Sequence, residues 1–399
     1  MLDFRKLINQ IEQVGIDGLP TALSKKETLE AGEAAYRSAI ANKEVFVEKL
    51  EKNRAWTWWP TAMPLEPIGT NIALGDGKTS NPPVTVVAVD GSQIMPSHHE
   101  IHTCFLLNLG SAGISYGIKA PPILDTEPRL YHTDDDLYPL VDRRRMHIDE
   151  LYVSLERQML ELEKLVELSI QSVLRGAPVV ALLDGSLIPW SVEKMPGGYI
   201  ETYLKRMSDA LETLHDAGIP LFGYLSNSRS ADLVNDLRMY ICPYESSHCR
   251  DHCGQLNEED FPCSQIWPLS DRQLMKKNLE YGERSAAFLS GASVSKLMGA
   301  QHRICFSYMN VGKEIARVEF PRWMLDHKEL LDSALQAVLS QVKKGMGYPV
   351  CLAEAHHLAV IRGGDRQKFF DLIARQLVQL GLKPVKLSAK ESKKRNSFI

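Results

Sequence analysis

The stretch Val84-Thr-Val-Val-Ala-Val-Asp-Gly-Ser92 decides the fold, because a short, continuous apolar run bounded by turn residues is typical of a buried central strand. The same pattern returns at Val179-Val-Ala-Leu-Leu-Asp-Gly-Ser186. Two predicted strands therefore run into the same Asp-Gly-Ser triplet. A third apolar strand, over 220–225, runs into Ser226-Asn-Ser-Arg229. At each of these predicted strand ends, polar side chains leave the sheet.

The segments between these strands complete the predicted layout. Two further strands, over 101–108 and 113–119, are separated by Gly110, as in a meander. A long helix over 141–174 carries apolar residues at helical spacing and precedes the second Asp-Gly-Ser strand. This order predicts an α/β fold with a mixed sheet, antiparallel at its start and parallel afterwards, with flanking helices. The RNase H-like fold has that layout.

Composition limits the class of protein and its partners. The chain has 399 residues and a formal net charge of −4, which argues against extensive electrostatic wrapping of nucleic acid but allows a local basic channel. Basic runs at 143–145, 343–344 and 393–395 are candidates for such a channel. The N-terminus lacks an apolar leader, and no uncharged apolar run approaches the ~18–20 residues of a membrane helix. We therefore expect a cytoplasmic protein without membrane contact.

The two aspartates of the repeated triplet, Asp90 and Asp184, are the strongest candidates for chemistry. Strand-end carboxylates on neighbouring strands come close together, and like charges at short distance need a cation or a shared proton. Carboxylate oxygens with room for water suit Mn²⁺ or Mg²⁺. A single Asp-Gly is most often only a turn, whereas two copies after fully apolar strands favour a metal site.

Four blocks of the sequence, taken in order, resemble the NurA nuclease family. They are Val-Ala-Val-Asp90-Gly-Ser, Leu-Leu-Asp184-Gly-Ser-Leu, Gly-Tyr-Leu-Ser-Asn-Ser-Arg229 and Gly-Tyr348-Pro-Val-Cys-Leu-Ala-Glu-Ala-His356. The resemblance implies an RNase H-like core and a Mn²⁺-dependent (or Mg²⁺-dependent) nuclease that acts on single-stranded DNA and duplex ends. It also implies a homodimer that works with a HerA-type hexameric ATPase in DNA repair and end resection.

The resemblance also assigns the site. It carries over Asp90, Asp184, Tyr348 and His356 as catalytic residues, with His356 and the two aspartates among the metal ligands. The family adds a glutamate from the helix before the second aspartate, where this chain offers Glu156, Glu161, Glu163 and Glu167. We expect Glu163, because it lies closest to the apolar stripe that must face the sheet. His357 is the alternative to His356.

The third block ends on Arg229, just past a predicted strand end. A guanidinium there would bind a substrate phosphate oxygen, and a surface salt bridge is the alternative reading.

A Cys/His-rich insertion over 242–263 lies outside the blocks of the resemblance. It holds Cys242, Cys249, Cys253 and Cys263, with His248 and His252 among them. Thiolate and imidazole are the ligands of structural Zn²⁺, although the spacing is not that of a standard zinc ribbon. An iron–sulfur cluster and unligated thiols are the alternatives. The seven cysteines do not form a disulfide framework, because the chain shows no secretory signal.

The expected organisation is a helical N-terminal extension over 1–60, a NurA-like nuclease core over 84–375 that contains the insertion, and a C-terminal segment with a basic tail over 376–399. Two other functions stay open. One is a catalytically weak scaffold that docks on a ring ATPase and guides DNA. The other is an RNase H-like phosphodiesterase that acts on RNA. The four matched site residues favour an enzyme over the scaffold, and they do not distinguish DNA from RNA as its substrate.

Overall fold

The computed structural model describes residues 3–75, 83–96, 103–246 and 248–381. The basic run at 393–395 and most of the segment 376–399 lie outside these residues, as does the beginning of the strand predicted over 101–108.

The helices, in chain order, are α1 (Phe4–Ala41), α2 (Lys43–Asn53), α3 (Asp134–Leu137), α4 (Glu150–Val173), α5 (Gly197–Asp216), α6 (Asp232–Ile241), α7 (Cys249–Cys253), α8 (Asp271–Met275), α9 (Lys328–Lys344), α10 (Val350–Ala359) and α11 (Gly363–Gln379). The strands are β1 (Ala62–Pro64), β2 (Asn71–Ala73), β3 (Val84–Ile94), β4 (Phe105–Tyr116), β5 (Ile123–Tyr131), β6 (Leu140–Val141), β7 (Arg144–Arg145), β8 (Val179–Asp184), β9 (Leu221–Leu225), β10 (Glu283–Ser285), β11 (Phe288–Ser290), β12 (Ile304–Asn310) and β13 (Ile315–Pro321). Short 3₁₀ turns cover Arg54–Trp56, Val192–Lys194, Glu258–Asp260, Ser264–Ile266, Val294–Leu297, Ala300–His302 and Arg322–Asp326.

The chain divides into two compact units. The first unit contains residues 1–76, 225–295 and 303–318, and the second contains 77–224, 296–302 and 319–399. Within the described residues, no helix combines the length and apolar composition needed to cross a membrane.

The first unit is built around one apolar cluster, in which the N-terminal helices share a core with residues from 225–295. Buried side chains of α1 and α2 (Tyr36, Phe46 and Leu50) belong to the same cluster as Leu237 of α6 and Phe306 of β12. The strands of this unit pair antiparallel: β1 with β11, β11 with β12, and β10 with both β12 and β2. The structural division therefore cuts across the linear one expected from the sequence, because burying the apolar faces of α1 and α2 requires residues much later in the chain.

The second unit contains the predicted mixed sheet, with strand order β9-β8-β3-β4-β5. Strands β3, β4 and β5 form an antiparallel meander, whereas β8 runs parallel to β3 and β9 runs parallel to β8. The prediction of two strands separated by Gly110 is wrong, because β4 runs through Gly110 as one strand paired with β3 and β5. Five of the six residues of β3 from Val84 to Val89 that were predicted as a buried strand are at most 1% exposed. The α/β class and the antiparallel-then-parallel order are confirmed, and the finer RNase H-like assignment stays a prediction.

Helix α4 begins later than the predicted start at residue 141. The side chain of Asp149 accepts a hydrogen bond from the backbone N–H of Tyr152 at 2.8 Å, which caps the helix at this point. Upstream, β6 and β7 pair across a turn in which Asp142 and Arg143 have φ values of 49° and 63°. A helix cannot pass through two left-handed residues, so it starts at Glu150.

Candidate active site

The register of the second unit's sheet places the two predicted aspartates next to each other. Parallel pairing of β3 with β8 ends with Val89 opposite Leu183. The next residue on each strand is an aspartate, so Asp90 and Asp184 lie side by side on strands ~4.8 Å apart and project from the same face. Asp184 is the last residue of β8, but Asp90 does not end its strand as predicted. Strand β3 continues to Ile94, because its pairing with β4 extends that far.

Each residue of the first Asp-Gly-Ser triplet has a separate structural task. Asp90 provides a carboxylate on one face of the sheet. A Cβ added to Gly91 would lie 2.6 Å from Oε1 of Glu161, so a larger residue would have to displace that carboxylate. The hydroxyl of Ser92 donates a hydrogen bond to the carbonyl of Ala359 at the end of α10. The triplet therefore contacts α4 through Gly91 and α10 through Ser92.

Helix α10 lies directly against β4, because Gly110 has no side chain to hold it away. A Cβ at Gly110 would lie 2.3 Å from the carbonyl oxygen of Ala355. The side chain of Asn108 donates to the carbonyl of Ala359 at 2.8 Å, which satisfies a helix-end acceptor. This docking places Nδ1 of His356 2.8 Å from Oδ2 of Asp90. Of the two candidate histidines, His356 thus faces the aspartate.

The loop before α10 places Tyr348 on the other aspartate. The loop turns tightly, because Met346 and Gly347 have φ values of 55° and 127°, and a Cβ at Gly345 would lie 1.9 Å from the carbonyl oxygen of Tyr348. Tyr348 packs edge-on against buried Tyr224, with ring centroids 5.6 Å apart, and its hydroxyl hydrogen-bonds Asp184. Burial raises the pKa of Asp184, the bond from Tyr348 opposes that rise, and repulsion from Asp90 adds to it.

The third carboxylate of the site belongs to Glu161. This side chain is only 7% exposed, and its pKa is raised to about 8, chiefly by burial and further by repulsion from Asp90 and Asp184. Its partner is the guanidinium of Arg157, one helical turn earlier. Arg157 also donates to the carbonyl of Gly91 at 3.1 Å and to Oε1 of Gln93 at 3.0 Å. The arginine therefore ties α4 to β3 beside the three carboxylates.

The placement expected for Glu163 is wrong. Its carboxylate forms a two-pronged ion pair with Arg206 of α5, with N–O distances of 2.8 and 3.0 Å. Glu156 binds the same arginine and the hydroxyl of Tyr199. The edge of α4 beside the apolar stripe thus faces α5, and Glu161, on the buried side, reaches the aspartates. Sequence reasoning also missed Arg157, although its position four residues before Glu161 is a signal for an ion pair on one helix face.

A cleft of about 260 Å³ opens beside Glu161 and Asp184 in the second unit. Its walls include Arg157, Glu161, Asp184, Ser186 and Trp190. The hydroxyl of Ser186, from the second Asp-Gly-Ser triplet, donates to a carboxylate oxygen of Glu319 at 2.8 Å and accepts from the Trp190 indole at 3.2 Å. These bonds hold the loop after β8, which forms one side of the cleft.

The donors at this site suit a hard divalent cation. Asp90 and Asp184 lie side by side, Glu161 repels both from the α4 side, and this repulsion between carboxylates favours binding of positive charge. Within the described residues, a closer grouping of three ligand atoms, all within 4.8 Å of one another, occurs elsewhere, at Glu212, His215 and Asp216. At the candidate site, Glu161 is paired with Arg157 and Asp90 with His356. An ion would therefore have to compete with Arg157 and His356 for these carboxylates.

The remaining predicted residues lie in the first unit. Arg229 lines a cleft there with Arg272 and Trp267, so its proposed contact with phosphate stays a prediction. The four cysteines of the insertion line one small cavity. Their sulfur atoms do not approach to the ~4 Å of one another expected for a closed zinc site, since no three of them lie within 4.8 Å of one another.

Comparison with known proteins identifies the family. A model of the NurA domain matches residues 84–361, which is more than half of the chain. The chain belongs to the NurA domain family. Among solved structures, it is similar to the NurA nuclease from Sulfolobus solfataricus, with a TM-score of 0.50 and 13% identity over 95% of this chain and 98% of that chain. At this identity the likeness shows the fold of this NurA-domain chain. No curated protein sequence matches the chain.

Proposed function

We propose that this NurA-domain protein is a divalent-metal-dependent nuclease that hydrolyses phosphodiester bonds in DNA. The observation that carries the proposal is the side-by-side placement of Asp90 and Asp184, with Tyr348 and His356 bonded to them and with Glu161 of α4 near enough to repel both. Membership of a family with a solved nuclease supports the same reaction. Carboxylates from two strands and a helix, together with O–H and ring N–H groups, are suited to phosphoryl chemistry.

Asp90, Asp184 and Glu161 would hold the cation, Mn²⁺ or Mg²⁺, while His356 stays hydrogen-bonded to Asp90. When bound there, the ion supplies charge for the phosphate oxygens and lowers the pKa of an attacking water. Glu161 would bind it as a carboxylate, so its proton would have to leave when the ion binds. Arg157 stays close enough to hold Glu161 in place and to offer its guanidinium to a phosphate.

The protein side chains would also handle proton transfer. His356 is 59% exposed and forms a hydrogen bond with Asp90, so it can exchange a proton with solvent while the carboxylate fixes its ring. This arrangement suits protonation of the leaving oxygen. Tyr348 keeps Asp184 oriented through its hydroxyl, which makes it a positioning residue in this structure.

The cleft supports a substrate with exposed bases. Trp190 is 45% exposed on the cleft wall and held by Ser186, so it can stack against a base without reorganising. Stacking on an aromatic side chain contributes about 1–3 kcal/mol per base and does not depend on sequence. Single-stranded DNA or a frayed duplex end has unpaired bases. One base would stack on Trp190 while a neighbouring phosphate lies near Asp184.

The cellular setting is part of the proposal and rests on family membership. We propose that the protein acts in the cytoplasm as a homodimer, with a HerA-type hexameric ATPase, in DNA repair and end resection. Light scattering of the purified protein would measure the mass of the homodimer. Co-purification with the ATPase would test the second partnership, and loss of the complex at moderate salt would argue against a stable assembly.

A nuclease assay tests the activity. Labelled single-stranded DNA, duplex DNA and RNA are incubated with Mn²⁺, Mg²⁺ or EDTA. Asp184→Asn should abolish cleavage, and Asp209→Asn, which changes an exposed aspartate of α5, should not. Preferential cleavage of RNA would reassign the substrate. DNA binding without cleavage under every metal condition would instead support the scaffold that guides DNA.

A further inference from the structure

The Cys/His-rich insertion forms a second site, which belongs entirely to the first unit. Cys242 directly follows α6, while Cys249 and Cys253 are the first and last residues of α7. Cys263 follows after a short loop and a 3₁₀ turn. Three of these cysteines are at most 9% exposed, and Cys242 is half-buried. The four thiols thus come from the end of α6, from α7 and from the loop after α7, and none of them forms a disulfide.

All four thiols line the same cavity. Its volume is about 20 Å³, which is room for roughly one water-sized sphere. His248 and His252 also contribute to the wall, but both rings are held flat against aromatic side chains. His248 stacks on Trp56 at 4.5 Å and His252 on Tyr244 at 4.0 Å, measured between ring centroids. The thiols are therefore the groups best placed to bind something inside.

A buried arginine supplies the second observation. Arg238 lies on the cavity wall, is 2% exposed, and has its guanidinium 3.8 Å above the ring of Trp59. Its Nε has no hydrogen-bond partner among the described residues, and Glu258 stands 3.4 Å from Nη2. A charge removed from water needs a nearby opposite charge. Glu258, itself 46% exposed, provides one such charge at a long distance on one side of the guanidinium. Four neutral thiols add no further charge, whereas four metal-bound thiolates would.

We propose that Cys242, Cys249, Cys253 and Cys263 together bind one thiolate-ligated metal centre, either a zinc ion or an iron–sulfur cluster. The centre fastens α7 and the loop after it to the end of α6, and Arg238 balances its negative charge. Binding converts four thiols to thiolates and releases their protons to solvent. Tetrahedral zinc requires the sulfurs to close to ~3.8 Å of one another, given Zn–S distances of ~2.3 Å. An iron–sulfur cluster keeps the sulfurs of cysteines on different irons further apart, and it would have to widen the present cavity to fit its irons and sulfides.

Metal analysis of the full-length protein tests this proposal. The protein is purified without chelators, with one portion kept free of oxygen, and zinc, iron and acid-labile sulfide are measured per chain. We expect either about one zinc, or several irons with matching sulfide and visible charge-transfer absorption. Cys253→Ser and Cys263→Ser should each lose most of this metal. Cys305→Ser is the matched control, because Cys305 is equally buried in the first unit but lies in β12.

Reconstitution keeps the test decisive if the serine variants fail to fold. Metal-free wild-type protein is titrated with Co²⁺, which reports thiolate ligation through its charge-transfer absorption. Four of the seven cysteines should become protected from a thiol-reactive probe as the signal saturates. Wild-type protein that carries neither metal and shows neither protection nor thiolate–cobalt absorption would overturn the proposal. Because the nuclease carboxylates belong to the second unit, DNA cleavage is measured separately as an independent readout.

Discussion

Replacing Glu161 with glutamine should stabilise the metal-free protein while destroying its activity. Glu161 is buried, and its pKa of about 8 in the folded protein lies well above the ordinary value of 4.5. A group whose pKa is raised by folding contributes its full stability below the unfolded pKa and loses it as the pH rises through the folded one. Metal-free protein should therefore become less stable between about pH 4.5 and pH 8. Glutamine has no such dependence.

The size of the effect follows from the same pKa difference. Each pKa unit corresponds to about 1.4 kcal/mol, so at pH 7 the carboxyl of Glu161 costs the folded state about 3 kcal/mol relative to a group that does not titrate. Glu161→Gln should recover up to that amount, since the amide oxygen can still accept from Arg157. Bound Mn²⁺ should offset the cost in wild-type protein, but it should stabilise the variant much less.

Urea unfolding in EDTA and in Mn²⁺, at pH 5, 7 and 8.5, measures both effects. Cleavage of single-stranded DNA, measured in parallel, should fall by at least about 100-fold in Glu161→Gln. Glu163→Gln is the matched control on the same helix, because it loses only a partly exposed ion pair with Arg206. Such a pair contributes about 0–1 kcal/mol, and the variant should keep normal activity at saturating metal.

The opposite pattern would refute this reasoning. If Glu163→Gln lost activity and Glu161→Gln kept it, the helix glutamate of the site would have been misassigned. If the stability of wild-type and Glu161→Gln proteins changed in parallel with pH in EDTA, the carboxyl would not be held in a repulsive, desolvated position.

Three further substitutions probe the C-terminal half of the site. His356→Ala should lower turnover by one or more orders of magnitude with little change in DNA affinity, and an unchanged single-turnover rate would contradict its role in proton transfer. Tyr348→Phe removes the hydrogen bond that lowers the pKa of Asp184, so the acidic limb of the pH–rate profile should move to higher pH; an unmoved limb would separate the tyrosine from Asp184. Gly110→Ala would place a methyl group 2.3 Å from a backbone oxygen of α10, which should cost about 1–3 kcal/mol of stability and most of the activity. Gly197→Ala, which meets no atom within 4 Å, is its control, and equal effects of the two substitutions would show that α10 tolerates displacement.

The pairing of the aspartates was predictable from the sequence because it depends on local signals. Two apolar runs with the same ending predict two buried strands, and parallel neighbours bring equivalent positions together. The length of β3 was not predictable in this way. Nothing at Asp90 marks a continuation, and the strand extends to Ile94 only because β4 supplies partners that far.

The helix glutamate could not be chosen by periodicity alone. The apolar stripe of α4 correctly predicts which side is buried, and a charged residue is normally expected beside that side. Here Arg157 pairs with Glu161, which lies within the buried side of α4. Arg206, from the later helix α5, pairs with Glu163 at the edge of that side. Only the second choice depends on a tertiary partner, because the spacing of Arg157 and Glu161 along α4 is local. The docking of α10 depends similarly on Gly110, whose lack of a side chain carries no obvious signal in the sequence.

The alternation of faces along β3 has a consequence for how this chain tolerates change. Asp90 and Ser92 contact α10 on one face of the sheet, whereas Gly91 between them contacts α4 on the other face. Insertion or deletion of a single residue just before Asp90 would exchange these two sides. The carboxylate would then press into α4, and α10 would lose both its cap and its histidine's partner. Insertions and deletions should therefore be tolerated in the loops of this protein but not in the middle of β3.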